Sequence, residues 1–218
     1  MTRNFICLSL VIVMSSFGFS QKNKITVEYD NQDQTLSNDI EKGFKEIVYT
    51  NYPKLMKDFN PKARTDLRIK IDTAYNGVAY AHNGQVVVSS KWLHSHPEDL
   101  DLMTHEIMHI IQSYPGGAGP GWLTEGIADY VRHKYGLDNE GARWSLTAFD
   151  SKHHYTNSYR ITARFLEWVS QNYDKKLVNK MDKNLRAKTY APELWKKYTG
   201  KELDELWDEY TKNPVLES

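Results

Sequence analysis

Apolar residues alternate with polar ones at Ile25, Val27 and Tyr29, and again at Leu67, Ile69 and Ile71 between Asp66 and Asp72. A period of two sends alternate side chains to one face, so each stretch predicts a half-buried strand. Between them the period lengthens. Ile40, Phe44, Ile47 and Val48 share one side of a helix spanning roughly Ser37 to Phe59, which Pro53 is expected to break or kink near Tyr52. Val78–Ala81 and Gln85–Ser89 flank His82-Asn83-Gly84, and an Asn-Gly pair between apolar runs predicts a hairpin.

A second helical stripe follows, with Leu100, Met103, Ile107, Ile110 and Ile111 on one face. Pro97 in the first turn is expected to open this helix, and Pro115-Gly116-Gly117 to end it near Tyr114. A loop carrying Gly116, Gly117, Gly119 and Gly121 then leads into another helical pattern containing Trp122 to Arg132, where Gly126 permits close backbone approach. Past Gly136 the pattern is irregular through Trp144, His153, His154 and Tyr155. Four amphipathic segments close the chain between about Tyr159 and Thr211, with apolar sets Ile161, Phe165 and Trp168; Leu177, Val178 and Met181; Leu194, Trp195 and Tyr198; and Leu203, Leu206, Trp207 and Tyr210. Their aromatics read as core. With no repeat and no long linker, the pattern predicts an α+β chain with one domain over residues 21–218. Its upper lobe would cover about 21–115 and a helical lower lobe about 116–212, with the residues after Lys212 frayed.

Composition sharpens this picture in three ways. At 218 residues and 40% apolar content the chain can bury a real core, which excludes a disordered protein. A formal net charge of zero removes any electrostatic pull towards nucleic acid or an anionic membrane. Residues 1–20 place Arg3 before an apolar run from Phe5 to Met14 and end in Gly18 and Ser20, the layout of a secretory signal peptide cut before Gln21. The run is too short to span a bilayer, so no stable membrane insertion is expected after cleavage. The expected location is secreted, periplasmic or extracellular, and the chain is read as a monomer. Cys7, the single cysteine, falls inside that leader. The mature chain would then have no disulfide and no thiol nucleophile, leaving stability to the core and to bound metal.

The chemistry concentrates in Met103 to Ser113, which contains His105-Glu106-Ile107-Met108-His109. Residues four apart on a helix point the same way, so His105 and His109 would offer two imidazoles to one ion, with Glu106 about 100° around the axis. Zinc takes imidazole nitrogen and carboxylate oxygen tetrahedrally, leaving places for a third ligand and a water that Glu106 could deprotonate. Glu125 and Asp129 share a face of the following helix. Glu125 is the candidate third ligand. Asp129 could accept the free ring N–H of a ligating histidine and fix its orientation. One Zn²⁺ per chain is expected.

These segments, with Tyr159-Arg160-Ile161-Thr162-Ala163-Arg164-Phe165-Leu166 and Leu206-Trp207-Asp208-Glu209-Tyr210, resemble the basic secretory protein family, peptidase-like proteins of plants and bacteria among the gluzincin-type zinc metallopeptidases. The likeness covers about Leu67 to Tyr210. It implies a zincin-like fold in which a small mixed sheet packs on a zinc-binding helix, with an α-helical C-terminal lobe below and a substrate cleft between. It also implies peptide-bond hydrolysis of a peptide or protein substrate. In this reading Glu106 is the general base and Tyr159 the donor to the tetrahedral oxyanion, while an extended substrate pairs with the strand at Val78, Ala79, Tyr80 and Ala81. One departure stands out: His154-Tyr155-Thr156-Asn157-Ser158 occupies a place where relatives are expected to have a Trp and a Gly. Two other readings use the same residues. One hydrolyses a different amide or ester, and the other is a secreted binding module with an idle metal site, against which an intact Glu106 argues.

Overall fold

Strands β1 (Thr26–Asn31) and β2 (Asp66–Asp72) lie side by side and parallel, with Thr26 opposite Asp66 and Asn31 opposite Ile71. They belong to a computed structural model that describes residues 24–217; the leader expected at 1–20 lies outside the described residues. The chain between them forms α1 (Asn38–Asp58), capped by Ser37, whose hydroxyl accepts the Asp39 N–H. Pro53 sits inside this helix without ending it, so of the break or kink expected near Tyr52 the break does not occur. Both Pro53 and Tyr49, whose carbonyl loses its intrahelical partner, are exposed, so water can take up the missing bond.

Strands β3 (Ala79–His82) and β4 (Gln85–Ser89) form the expected hairpin, with β3 beginning one residue later than the pattern suggested. Asn83 and Gly84 turn it with φ of 50° and 79°, the positive pair that a two-residue reversal requires. The sheet order is β1-β2-β4-β3, with β4 parallel to β2 and β3 antiparallel on the edge. Ile69, Ile71, Val86 and Val88 are fully buried, since β2 and β4 are central and their apolar runs face the helices.

A short helix α2 (Ser90–Ser95) leads to α3 (Leu102–Gln112). Helix α3 starts five residues after Pro97, not at it, because turns at His96–Asp99 and Glu98–Leu100 intervene. The start is set by Asp101, whose carboxylate accepts the Thr104 hydroxyl at 2.9 Å and the Asp138 N–H at 2.6 Å. Ser113 ends the helix in the left-handed region, one residue before Tyr114. Helix α4 (Gly121–Tyr135) packs on α3, and α5 (Tyr159–Asn172) packs on α4. A Cβ on Gly126 would lie 2.2 Å from Thr162 Cγ2, so only glycine lets α4 and α5 approach this closely. Helices α6 (Leu177–Arg186), α7 (Glu193–Thr199) and α8 (Leu203–Lys212) complete the chain in the order the periodicity predicts. The described residues thus form an α+β fold with a mixed four-stranded sheet and eight helices. One apolar cluster runs from α1 and the sheet through α3 and α4 to Trp195 and Tyr210. None of the described helices is long and apolar enough to cross a membrane.

Candidate metal centre and cleft

Because α3 and α4 pack together, the polar stripe of one meets the polar stripe of the other. His105 and His109, one turn apart on α3, bring their Nε2 atoms to 3.0 Å of each other. Glu125 Oε2 on α4 lies 3.3 Å from the first and 3.5 Å from the second. These three side chains form a cluster that could hold a metal ion. Metal–ligand bonds of 2.0–2.1 Å at tetrahedral angles would set donor atoms about 3.3 Å apart, which is the edge length seen here.

The outer nitrogens explain why the inner ones converge. His105 Nδ1 lies 2.6 Å from Asp129 Oδ1, and a carboxylate can only accept, so that nitrogen carries the hydrogen. His109 Nδ1 lies 2.7 Å from Gln112 Oε1, and the Gln112 amide is oriented by donating its Nε2–H to the Thr124 carbonyl at 2.9 Å. In the neutral rings both Nε2 atoms are then lone-pair acceptors, aimed with a carboxylate oxygen at one point. Three acceptors that close repel unless a cation or protons lie between them. The charge distribution agrees. Burial would depress His105, yet hydrogen bonds to Asp129 and Glu125 and the charges of Asp129 and Glu106 hold its pKa well above the ordinary imidazole value. Burial likewise pushes Glu125 up, but the two histidines outweigh it and keep the carboxyl well below its usual range.

Glu106 is buried beside the cluster, and its Oε2 has no hydrogen-bond partner. Desolvation pushes this carboxyl's pKa up, against the pull of both histidines. Tyr159 opens α5 with its ring stacked on that of His105, centroids 6.1 Å apart, while 54% of the residue remains exposed. The charge of Glu125, then burial, raises its phenol. Both Ser158 and Tyr159 have positive φ, 66° and 50°, and Ser158 combines this with ψ of −178°, a conformation otherwise left to glycine.

The three cluster residues, Glu106, Gln112, Asp129 and Tyr159 line a cleft of about 1130 Å³, and so do Val78, Ala79, Tyr80 and Ala81. Tyr80 is 45% exposed there, and β3 is the sheet edge facing the cluster. Every residue expected at the site from sequence is therefore in one cavity. Gln112 is the participant that sequence reading missed; its signal was its place three residues after His109, on the same helix face. Missed too was the far end of the cleft, where Asp99 accepts from Arg132 and from Trp92 Nε1, and where the Arg132 guanidinium stacks 4.5 Å from the Trp144 ring.

A family model described as peptidase of plants and bacteria matches residues 19–210. No curated protein and no solved structure matches the chain.

Proposed function

Because this chain belongs to the family of peptidases of plants and bacteria, we propose that it is a secreted zinc metallopeptidase of gluzincin type on a zincin-like fold. In this reading the chain works as a monomer, one domain of two lobes, outside the cytoplasm and free of its leader. The observation that carries the proposal is the convergence of three lone-pair donors beside a buried carboxyl that keeps one oxygen unbonded.

His105, His109 and Glu125 would hold one zinc per chain, a fit supported by their 3.0–3.5 Å edges and by two nitrogen donors with one oxygen. Zinc at that point supplies a Lewis acid for the scissile carbonyl and lowers the pKa of a water it binds. Asp129 and Gln112 hold the two rings in the tautomer that presents Nε2. Glu106 takes a proton from the attacking water and returns it to the departing nitrogen, so the C–N bond breaks with hydroxyl on the acyl carbon and hydrogen on the amine. Burial raises the carboxyl's proton affinity, which suits a group that must hold that proton between the two transfers. The Tyr159 hydroxyl, protonated at neutral pH, donates to the oxyanion. The unpaired side of β3 at Val78, Ala79, Tyr80 and Ala81 receives the extended peptide backbone.

Glu106→Gln tests the reading directly, because it removes the base and leaves the three ligands. The variant should keep its fold and about one equivalent of zinc, while peptide cleavage falls at least about a hundredfold. His105→Ala should lose the zinc. Metal-free protein with full activity, or undiminished cleavage by Glu106→Gln, refutes the mechanism. If wild type cleaves nothing in a broad peptide library while both proteins bind the same peptide equally, the chain is a binding module.

A further inference from the structure

Four arginines line the cleft, and their partners divide them into two pairs. Arg64 is held by the Asp66 carboxylate and by the Asn83 and Asp66 carbonyls. Arg132 is held by Asp99 and Asn139. Arg143 and Arg160 have neither an ion pair nor a side-chain hydrogen bond among the described residues, and both are exposed. The carboxylates lining the same cleft pair with neither: Asp99 is taken by Arg132, Asp129 by His105, Glu125 belongs to the cluster, and Glu106 is buried beside it.

The backbone positions that carry these two side chains are fixed. Arg160 follows Tyr159 in the first turn of α5, so it is fixed one residue from a ring stacked on His105. Arg143 sits at φ 51°, a left-handed position that costs a non-glycine residue about 1 kcal/mol or more. Its loop is tied down on both sides. The Arg143 N–H donates to the Glu140 carbonyl at 2.8 Å, the Trp144 N–H to the Asn139 carbonyl at 2.8 Å, and the Asp138 N–H to the buried Asp101. Trp144 is packed under Arg132.

We propose that Arg143 and Arg160 offer their free guanidiniums to substrate carboxylates, so that the cleft selects acidic peptides. The inference rests on the peptidase reading, since it names the substrate class of the same cleft. Guanidinium binds carboxylate through paired charge-assisted hydrogen bonds. In the peptidase reading the scissile carbonyl occupies the reacting centre, so the recognised group flanks the scissile bond. Its source is either an acidic side chain or the substrate's terminal carboxylate.

Three peptides of one sequence separate these sources: one with an internal Glu and an amidated end, one with Gln and a free C-terminal carboxylate, and one with Gln and an amidated end. Wild type should cleave one acidic peptide about five- to tenfold faster in kcat/KM than the doubly neutral one. Preference for the first identifies the side chain, and for the second the terminus. In Arg143→Gln/Arg160→Gln the ratio should fall to about one, and in Arg143→Glu/Arg160→Glu a Lys-containing peptide should become the better substrate. Equal kcat/KM for all three peptides in wild type, or an unchanged ratio in both double variants, overturns the proposal while the peptidase reading stands. Titration of the same peptides against the Glu106→Gln protein reads the preference without cleavage. If wild type cleaves none of them but the acidic peptide binds more tightly and the charge-reversed variant inverts the order, the carboxylate site stands and the peptidase reading falls.

Discussion

Each imidazole in the centre is aimed by one acceptor, and the two acceptors differ in charge. Asp129 gives His105 a carboxylate, whereas Gln112 gives His109 a neutral amide that is itself locked by the Thr124 carbonyl. Replacing Asp129 with Asn keeps the size and one acceptor oxygen but removes the negative charge from the His105 partner, and it adds an N–H₂ that cannot accept if the amide turns the other way. Asp129→Asn should weaken zinc retention by roughly 10- to 100-fold with the fold intact, as read by a chelator competition beside a circular dichroism melt. Unchanged affinity would leave Asp129 as an ordinary helix acid. The sequence alone made the Asp129 partnership legible, because Glu125 and Asp129 share a helix face. It left Gln112 unread, because a glutamine near a metal pattern becomes meaningful only once Thr124, twelve positions on, is seen to orient it. Strain is similarly hidden from a one-dimensional reading. Ser158 adopts a glycine backbone within the segment where a glycine is expected in relatives, so Ser158→Gly should stabilise the fold by about 1 kcal/mol in a denaturant titration. Loss of stability would show that the serine side chain matters more than its φ.

At the scale of elements, the periods of the apolar residues located all four C-terminal helices, since each has one buried face and one wet face, while the Asn-Gly pair between two apolar runs located the hairpin, whose strand β4 is buried on both faces. What they could not set was where helices start. Pro97 is a plausible first-turn residue, yet Asp101 begins α3 because its carboxylate has partners in Thr104 and in the distant Asp138. Pro53 is likewise a reasonable breaker in isolation. It is tolerated because it falls on the exposed side of α1 while Asn51, Tyr52 and Leu55 are buried around it. The α4–α5 contact is the element pair on which both Glu125 and Tyr159 depend, and Gly126 is a point of close approach in it. Gly126→Ala would force a Cβ to within 2.2 Å of Thr162 Cγ2 and 2.6 Å of its Cβ. Overpacking of this kind costs about 1–3 kcal/mol, and the helices must separate to relieve it. The variant should unfold at lower denaturant and lose zinc affinity as Glu125 moves. Adding Thr162→Ser, which deletes Cγ2 but keeps the hydroxyl that bonds the Tyr155 carbonyl, should recover part of the stability. No recovery would mean that backbone contact, not the methyl, limits the approach.

Across the whole molecule, the cluster joins two helices that belong to different parts of the core. Helix α3 packs against α1 and the sheet, and α4 against α5, so a ligand shared by His105, His109 and Glu125 ties these layers together. Nothing covalent does this job: the sequence contains one cysteine, Cys7, so no disulfide can form within the chain. A metal that binds the folded chain and not the unfolded one stabilises it by about 2.7 kcal/mol when free metal is a hundred times its Kd. For a chain of this size each kcal/mol moves Tm by about 2–4 °C, so removal of the metal should lower Tm by roughly 5–11 °C. The comparison of variants makes the origin of the shift specific. Glu106→Gln should show the full zinc-dependent rise, because its carboxyl neighbours the ligands without being one. His105→Ala should melt at one temperature with or without zinc, since the remaining His109 and Glu125 form only half of a tetrahedron. A wild-type melt that ignores both chelator and added zinc would mean that the three donors hold protons and no metal, and the hydrolytic reading would lose its Lewis acid.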